Sequence, residues 1–90
     1  MISIIIIKLK YKEIIMNTLS KCERGDKLKV IKLNAQSELK QRLISFGIMK
    51  EAILEVLEHA PGKSTIEVKV GKMRIALRAQ EADMIEVEAI

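Results

Sequence analysis

The segment Ser37–Ile48, SELKQRLISFGI, decides the fold that this sequence predicts, because it is the one stretch with a clear helical period. Leu39, Leu43 and Phe46 recur at spacings of four and three residues, which places them on one face of a helix. Ile44 widens that apolar face. A single helix this short is marginal in water, so we expect it to pack against the rest of the chain.

Both ends of the predicted helix carry recognisable signals. Ser37 is a candidate N-cap residue, and Glu38 in the first turn suits the positive end of the helix dipole. Gly47 stands where a left-handed residue often ends a helix, and Ile48 is placed to fold back on it. The helix is therefore predicted to be bounded on both sides.

The other regular segments resemble short strands. The clearest are two alternating segments joined by Gly71-Lys72, which predicts a tight hairpin. The segment before Ala60-Pro61-Gly62 also permits a helix, but the sharp stop and the strands that follow favour a strand. Ala79–Asp83 predicts one helical turn. The predicted strands are Lys27–Leu33, Ala52–Glu58, Thr65–Val70, Lys72–Arg78 and Ile85–Glu88.

This order of elements predicts a mainly β fold. We expect a small SH3-like five-stranded barrel, with one short α-helix after the first strand and a single helical turn before the last strand. Ninety residues allow one small domain, which we place at 16–90. With one Phe, one Tyr and no Trp, its core must consist of Ile, Val, Leu and Met.

Residues 1–15, MISIIIIKLKYKEII, precede the predicted domain. The apolar run Ile4–Ile7 is too short to cross a membrane as a helix, and lysines follow it where a signal peptide would place them before it. Three interpretations stay open: an upstream extension before a start at Met16, an extra edge strand, or a segment for self-association or partner binding. We favour the first.

Composition restricts the class of function. The formal net charge of +4 is mild, with acidic residues interleaved among the basic ones, and aromatic residues for base stacking are nearly absent. We therefore expect no nucleic acid partner, although a small barrel that binds nucleic acid remains the competing class because the pI is about 9.3. No catalytic triad or phosphate-binding glycine loop is present, so we do not expect an enzyme. One cysteine excludes an internal disulfide and fits a reducing, cytoplasmic setting.

A set of short motifs resembles the FeoA family of small cytoplasmic proteins associated with bacterial ferrous iron uptake. Each motif is weak alone, but their order and spacing from about residue 17 to 88 are specific. The motifs are Gly25-Asp26, Gln41-Arg42-Leu43, Phe46-Gly47-Ile48, Ala60-Pro61 and Leu77–Ile85. The resemblance implies an SH3-like barrel, no enzymatic activity, no cofactor, and support of the FeoB membrane permease as partner, with membrane association only through that partner. Similar domains also end some DtxR-type iron-dependent repressors, which makes a regulatory module the alternative.

The sequence departs from the family pattern at two places. Lys50-Glu51 stands where members commonly have Pro-Gly, so the turn into the second strand lacks a residue suited to positive φ. Asn34-Ala35-Gln36 replaces a loop that often contains glycine, and Asn34 could adopt the left-handed region there. Both departures concern the two ends of the helix.

Exposure and charge, without any family site, suggest where a protein partner would bind. We expect the solvent-exposed side of the helix and the loop after it to form the first contact surface. A basic strip on one strand is the second candidate surface. The candidates are Lys40, Arg42, Ile48, Met49 and Lys50 on the first surface, and Arg74 and Arg78 on the second.

Metal binding is a weaker hypothesis. His59 is the only histidine of the sequence and Cys22 is its only cysteine. We expect a solvated His59 and a buried, inert Cys22, with no metal site. Direct sensing of ferrous iron would need further ligands from carboxylates, with little selectivity. The acidic residues near the end of the chain, Glu81, Asp83, Glu86 and Glu88, have no calcium-loop spacing and suit the wet face of a strand.

Overall fold

The computed structural model describes residues 17–90, so the segment 1–15 lies outside the described residues. Within residues 17–90, two helices and six strands follow one another, with short 3₁₀ turns at Leu19–Lys21 and Pro61–Lys63. The helices are α1 (Ser37–Ser45) and α2 (Ala79–Ala82). The strands are β1 (Asn17–Thr18), β2 (Lys27–Leu33), β3 (Ile53–His59), β4 (Thr65–Val70), β5 (Met73–Arg78) and β6 (Ile85–Ala89).

All strand pairs are antiparallel, and the sheet order is β1-β6-β2-β3-β4-β5. The sheet is the predicted mainly β, SH3-like arrangement, with six strands where the sequence predicts five. The additional strand, β1, has two residues and pairs with β6. A two-residue strand has too little alternation to be visible in a sequence. Among the described residues β1 and β5 are the two ends of the sheet, so its ladder is open where a closed barrel is expected.

The core follows from the alternation of the strands. Inward-facing residues from β2 to β6 meet Leu43 of α1, Ile48 after it and Leu19 of the first 3₁₀ turn. Leu39 and Phe46 pack on this cluster as partly buried residues. The strands contribute Leu28, Val30, Leu54, Val56, Ile66, Val68, Ile75, Leu77, Ile85 and Val87. The predicted core of Ile, Val and Leu is therefore confirmed, but the methionines predicted to share in it do not do so within residues 17–90, where Met49, Met73 and Met84 are exposed.

The strand over Ile53–His59 alternates more simply than its apolar sequence suggests. Leu54 and Val56 are buried, whereas Ile53 is 49% exposed. A register shift against β4 falls between Val56 and Glu58. The strand interpretation of this segment is therefore correct.

The ends of α1 agree with the sequence in part. Gly47 has φ +90°, its N–H donates to Ile44 O at 2.9 Å, and the Ile48 N–H donates to Leu43 O at 2.9 Å. These two bonds form the left-handed C-terminal motif that the sequence predicts. Ser37 is not the N-cap: that position is Gln36, and Ser37 has φ +49° with no side-chain capping bond.

The two departures from the family pattern have different outcomes. Glu51 adopts φ +74°, so the turn into β3 does require positive φ and a glutamate provides it. Asn34 does not have positive φ, and its side-chain amide donates to Glu86 Oε2 at 2.7 Å. The left-handed residue at this end of α1 is the first residue of the helix, Ser37.

Candidate functional site

Two surface concavities flank α1, and the spacing of its residues explains why. Leu39 and Leu43 face the core, whereas Lys40 and Ile44 form one flank of the helix. Arg42 and Phe46, also four residues apart, form the other flank. The helix therefore separates two surfaces of different composition.

The first concavity, here called the lysine groove, has a volume of about 640 Å³. Its floor is apolar: Ile44 is 40% exposed and Met49 is 43% exposed, with the partly buried Leu33 beside them. Within residues 17–90, none of the residues that line it is acidic. The lysine groove is formed by Ile31, Lys32, Leu33, Lys40, Ile44, Met49 and Lys50.

The three lysines of this groove keep their charges free for other contacts. Within residues 17–90 the ion pairs are Arg42–Glu81 and Arg74–Glu67, and neither involves these lysines. Glu86, which accepts the Asn34 amide, lies opposite Lys32 across the β2–β6 pair but forms no ion pair with it. The groove therefore combines an apolar floor with three lysines that are in no ion pair within residues 17–90.

The second concavity, here called the arginine cavity, has a volume of about 540 Å³. It lies between α1 and β5 and contains an acid among its basic residues. Arg42 forms an ion pair with Glu81, in which the side chains are 52% and 16% exposed respectively. Arg74 approaches Glu67 at 3.6 Å, with both groups well exposed. The lining includes Arg42, Phe46, Met73, Arg74, Arg78 and Glu81.

Glu81 is the most constrained charged group of the arginine cavity. Its Oε1 accepts the Arg78 backbone N–H at 2.9 Å, which closes the first turn of α2. Partial burial favours the neutral form, but the hydrogen bonds from Arg78 N–H and Arg42, together with the charges of both arginines, outweigh it and lower the pKa of Glu81. Its carboxylate therefore ties α2 to α1, a role that its place in an acidic cluster did not reveal.

The structure places the predicted contact residues in three groups. Lys40, Met49 and Lys50 come together in the lysine groove, and Arg42, Arg74 and Arg78 come together in the arginine cavity. Ile48 is 0% exposed, so its assignment to a contact surface is wrong. Its side chain is buried because the turn after Gly47 directs the chain back into the core.

Sequence reasoning missed Ile31, Lys32 and Leu33 as part of the first surface. They belong to β2, whose alternation assigns residues to faces of a sheet but not to a groove beside a helix. The signal in the sequence was the tripeptide Ile31-Lys32-Leu33, in which a lysine stands between two apolar residues. In the structure it lies at a register shift between Val30 and Lys32.

The two weak metal candidates, His59 and Cys22, lie close together, but the contact is between the His59 ring and the backbone of Cys22, not its thiol. His59 Nε2 is 2.7 Å from the carbonyl oxygen of Cys22, so this nitrogen carries the proton and donates. The Cys22 thiol lies 3.5 Å from Thr18 O, and burial followed by the nearby Asp26 charge raises its pKa to about 11. Among residues 17–90 no group of three or more His, Cys, Asp or Glu is arranged to hold a metal ion.

The described part of the chain contains no helix that is both long and apolar enough to cross a membrane.

Together, the antiparallel sheet, the helix α1 that packs on its core and the two open concavities beside that helix define a small SH3-like protein with surfaces suited to macromolecular contact. The FeoA domain profile matches residues 17–89, and the chain belongs to the FeoA family. The resemblance found in the sequence is thereby confirmed.

Named relatives agree with this assignment. A Campylobacter jejuni protein named "Putative Fe(2+) transport protein A" is 38% identical over 73 residues, which cover 81% of this chain and 99% of the relative. The solution structure of iron(II) transport protein A from Clostridium thermocellum is 32% identical with a TM-score of 0.79, covering 82% of this chain and 46% of that one. The FeoA protein from Chlorobium tepidum is 32% identical with a TM-score of 0.78, covering 82% of this chain and 70% of that one.

More distant likenesses concern the fold alone. A manganese-dependent transcriptional repressor is 24% identical with a TM-score of 0.75, and this chain covers 41% of it. The SH3-like fold therefore also occurs within longer repressor chains.

Proposed function

We propose that this chain is a non-enzymatic, cytoplasmic accessory protein of bacterial ferrous iron uptake, which acts by binding the cytoplasmic part of a FeoB-type permease. Membership of the FeoA family carries the proposal, since relatives are named for Fe(2+) transport. The protein would reach the membrane through this partner.

The lysine groove supports a contact with a protein partner. Interfaces need apolar area that is freed from water on binding, and charged residues around it that select the partner. Ile44 and Met49 supply the apolar area, and Lys40 and Lys50 supply the charge. We therefore propose the lysine groove as the primary contact surface and the arginine cavity as the second choice.

The test is a titration of the full chain with the purified soluble cytoplasmic domain of the cognate FeoB-type permease. It is repeated with nucleotide and with ferrous iron, and a DNA oligonucleotide serves as a control. Saturable binding to the permease domain alone is expected. Salt-sensitive binding to the oligonucleotide without binding to the permease domain would contradict the proposal.

Charge reversal then locates the surface. Lys40→Glu should weaken binding about tenfold, because it places a like charge against the partner's acids. Lys63→Glu is a matched control, because Lys63 is exposed in the loop between β3 and β4, outside both concavities. Arg42→Glu is not a clean probe, since it would also break the ion pair with Glu81. Full affinity in Lys40→Glu with a loss in Arg74→Glu would move the contact to the arginine cavity.

A further inference from the structure

The backbone of β2 has an open edge beside the lysine groove. β3 pairs with β2 only over Lys27–Lys29, and the loop residues Glu51 and Ala52 then bond to Val30. Beyond Val30, no described residue forms a strand ladder on this side of β2, while β6 covers the other side as far as Leu33. An open strand edge presents N–H and C=O groups that another chain can pair with.

The groove lies directly along this edge. Ile31, Lys32 and Leu33 of β2 line one side of it, and Lys40 and Ile44 of α1 line the other. A segment bound there would therefore contact backbone groups on one side and helix side chains on the other. This arrangement suits an extended segment, because a helix has no free backbone groups to pair with β2.

The side chains around the groove define the chemistry of such a segment. Alternate residues of a bound strand point to opposite faces, so one set would meet the apolar floor of Ile44 and Met49. The other set would meet Lys32, Lys40 and Lys50, none of which is in an ion pair within residues 17–90. Acidic residues alternating with aliphatic ones are complementary to this pattern.

We propose that the lysine groove binds an extended acidic segment of a protein partner by strand addition to β2. The inference rests on the proposed function in one respect: the segment would belong to the cytoplasmic part of the permease. The chain's own segment 1–15 is a poor occupant, because Lys8, Lys10 and Lys12 would oppose the lysines of the groove.

The test uses the full chain, labelled with ¹⁵N, and an eight-residue peptide that alternates Glu and Val. Saturable shifts of the Ile31–Leu33, Ile44 and Met49 amides are expected, with slowed hydrogen exchange of at least one amide in Ile31–Leu33. A peptide alternating Lys and Val should bind at least about tenfold more weakly. Shifts without slowed exchange would indicate a bound helix or loop and would overturn strand addition.

Variants separate the groove from general charge attraction. Lys40→Glu should weaken peptide binding about tenfold, whereas Lys63→Glu should change it less than about twofold. Equal effects of the two substitutions would overturn the proposal. Slow exchange of all three Ile31–Leu33 amides before any peptide is added would also overturn it, because an amide that does not face β6 would then already be bonded to another part of the chain. A further experiment replaces the peptide with vesicles that contain anionic lipid. The same amide shifts with vesicles but not with peptide would also overturn the proposal.

The two proposals fail separately. Peptide binding in the groove without any binding of the permease domain would contradict the proposed function and leave strand addition supported. Binding of the permease domain that is unaffected by Lys40→Glu, together with no peptide binding, would contradict strand addition and leave the proposed function supported.

Discussion

The lysine groove and the arginine cavity lie on opposite flanks of the same helix and differ in how far their positive charge is paired within residues 17–90. In the cavity, Glu81 pairs with Arg42 and Glu67 with Arg74, so the positive charge is largely compensated within the chain. In the groove, no acidic residue lies among the lining residues. An ion pair within the chain contributes to stability. A lysine that is in no such pair can bind an acidic partner without breaking an existing ion pair. The comparison assigns a structural role to one flank and a recognition role to the other.

The largest expected effect comes from removing the residue that holds both flanks in place. Leu43, on the core-facing side of α1, is fully buried. Leu43→Ala should lower the free energy of unfolding by about 3 kcal/mol, because a cavity remains in the core. Ile44→Ala, one residue along on the groove side, should cost less than about 0.5 kcal/mol. Urea unfolding monitored by circular dichroism measures both, and equal losses would show that the groove flank is also structural.

The next effect concerns the arginine cavity. Glu81→Gln should lower the free energy of unfolding by about 1 kcal/mol at neutral pH, because it weakens the contacts with Arg42 and the Arg78 N–H. The folded protein has the lower pKa for Glu81, so its contribution is present above the ordinary value of 4.5 and is lost as pH falls through the folded value. Stability curves of the native chain and the variant should therefore converge at low pH.

Glu67→Gln is the matched control for this pH dependence. Glu67 pairs with Arg74 at 3.6 Å in an exposed position, where an ion pair contributes at most about 1 kcal/mol and often nothing measurable. If the pH dependence of the free energy of unfolding changes as much in Glu67→Gln as in Glu81→Gln, the tightly bound Glu81 does not differ from the exposed Glu67 in its contribution to stability.

A smaller, stabilising effect is expected where the chain leaves the groove. Glu51 has φ +74°, and a non-glycine residue in that region costs about 1–2 kcal/mol, of which glycine recovers only part because of its chain entropy. Glu51→Gly should raise the free energy of unfolding by about 0.5 kcal/mol. In contrast, Glu58→Gly in β3 should lower it, and thermal unfolding of the two variants provides the check.

The smallest stability effect is expected at the groove lysines. Lys40→Ala should change the free energy of unfolding by less than about 0.5 kcal/mol, since Lys40 is exposed and has no acidic partner within residues 17–90. Chemical denaturation at low and high salt measures this. A loss above 1 kcal/mol would mean that Lys40 has a structural role and would weaken its assignment to recognition.

The sequence by itself determined the local elements and the family. Alternation and helical period place Thr65–Val70, Lys27–Leu33 and the helix that stops before Gly47, since these depend on neighbouring residues along the chain. The motif order was also sufficient for the FeoA resemblance, which the domain profile confirms.

Only the tertiary structure decided which residues share a surface. Ile48 is buried rather than exposed because the turn at Gly47 directs it into the core, and Glu81 binds Arg42 across 39 positions of sequence. Likewise, Ile31–Leu33 join Lys40 and Lys50 in one groove because α1 lies beside the end of β2, on the side where β3 no longer pairs with it. Such contacts depend on how elements pack in space, and a period of two or 3.6 residues holds no information about that.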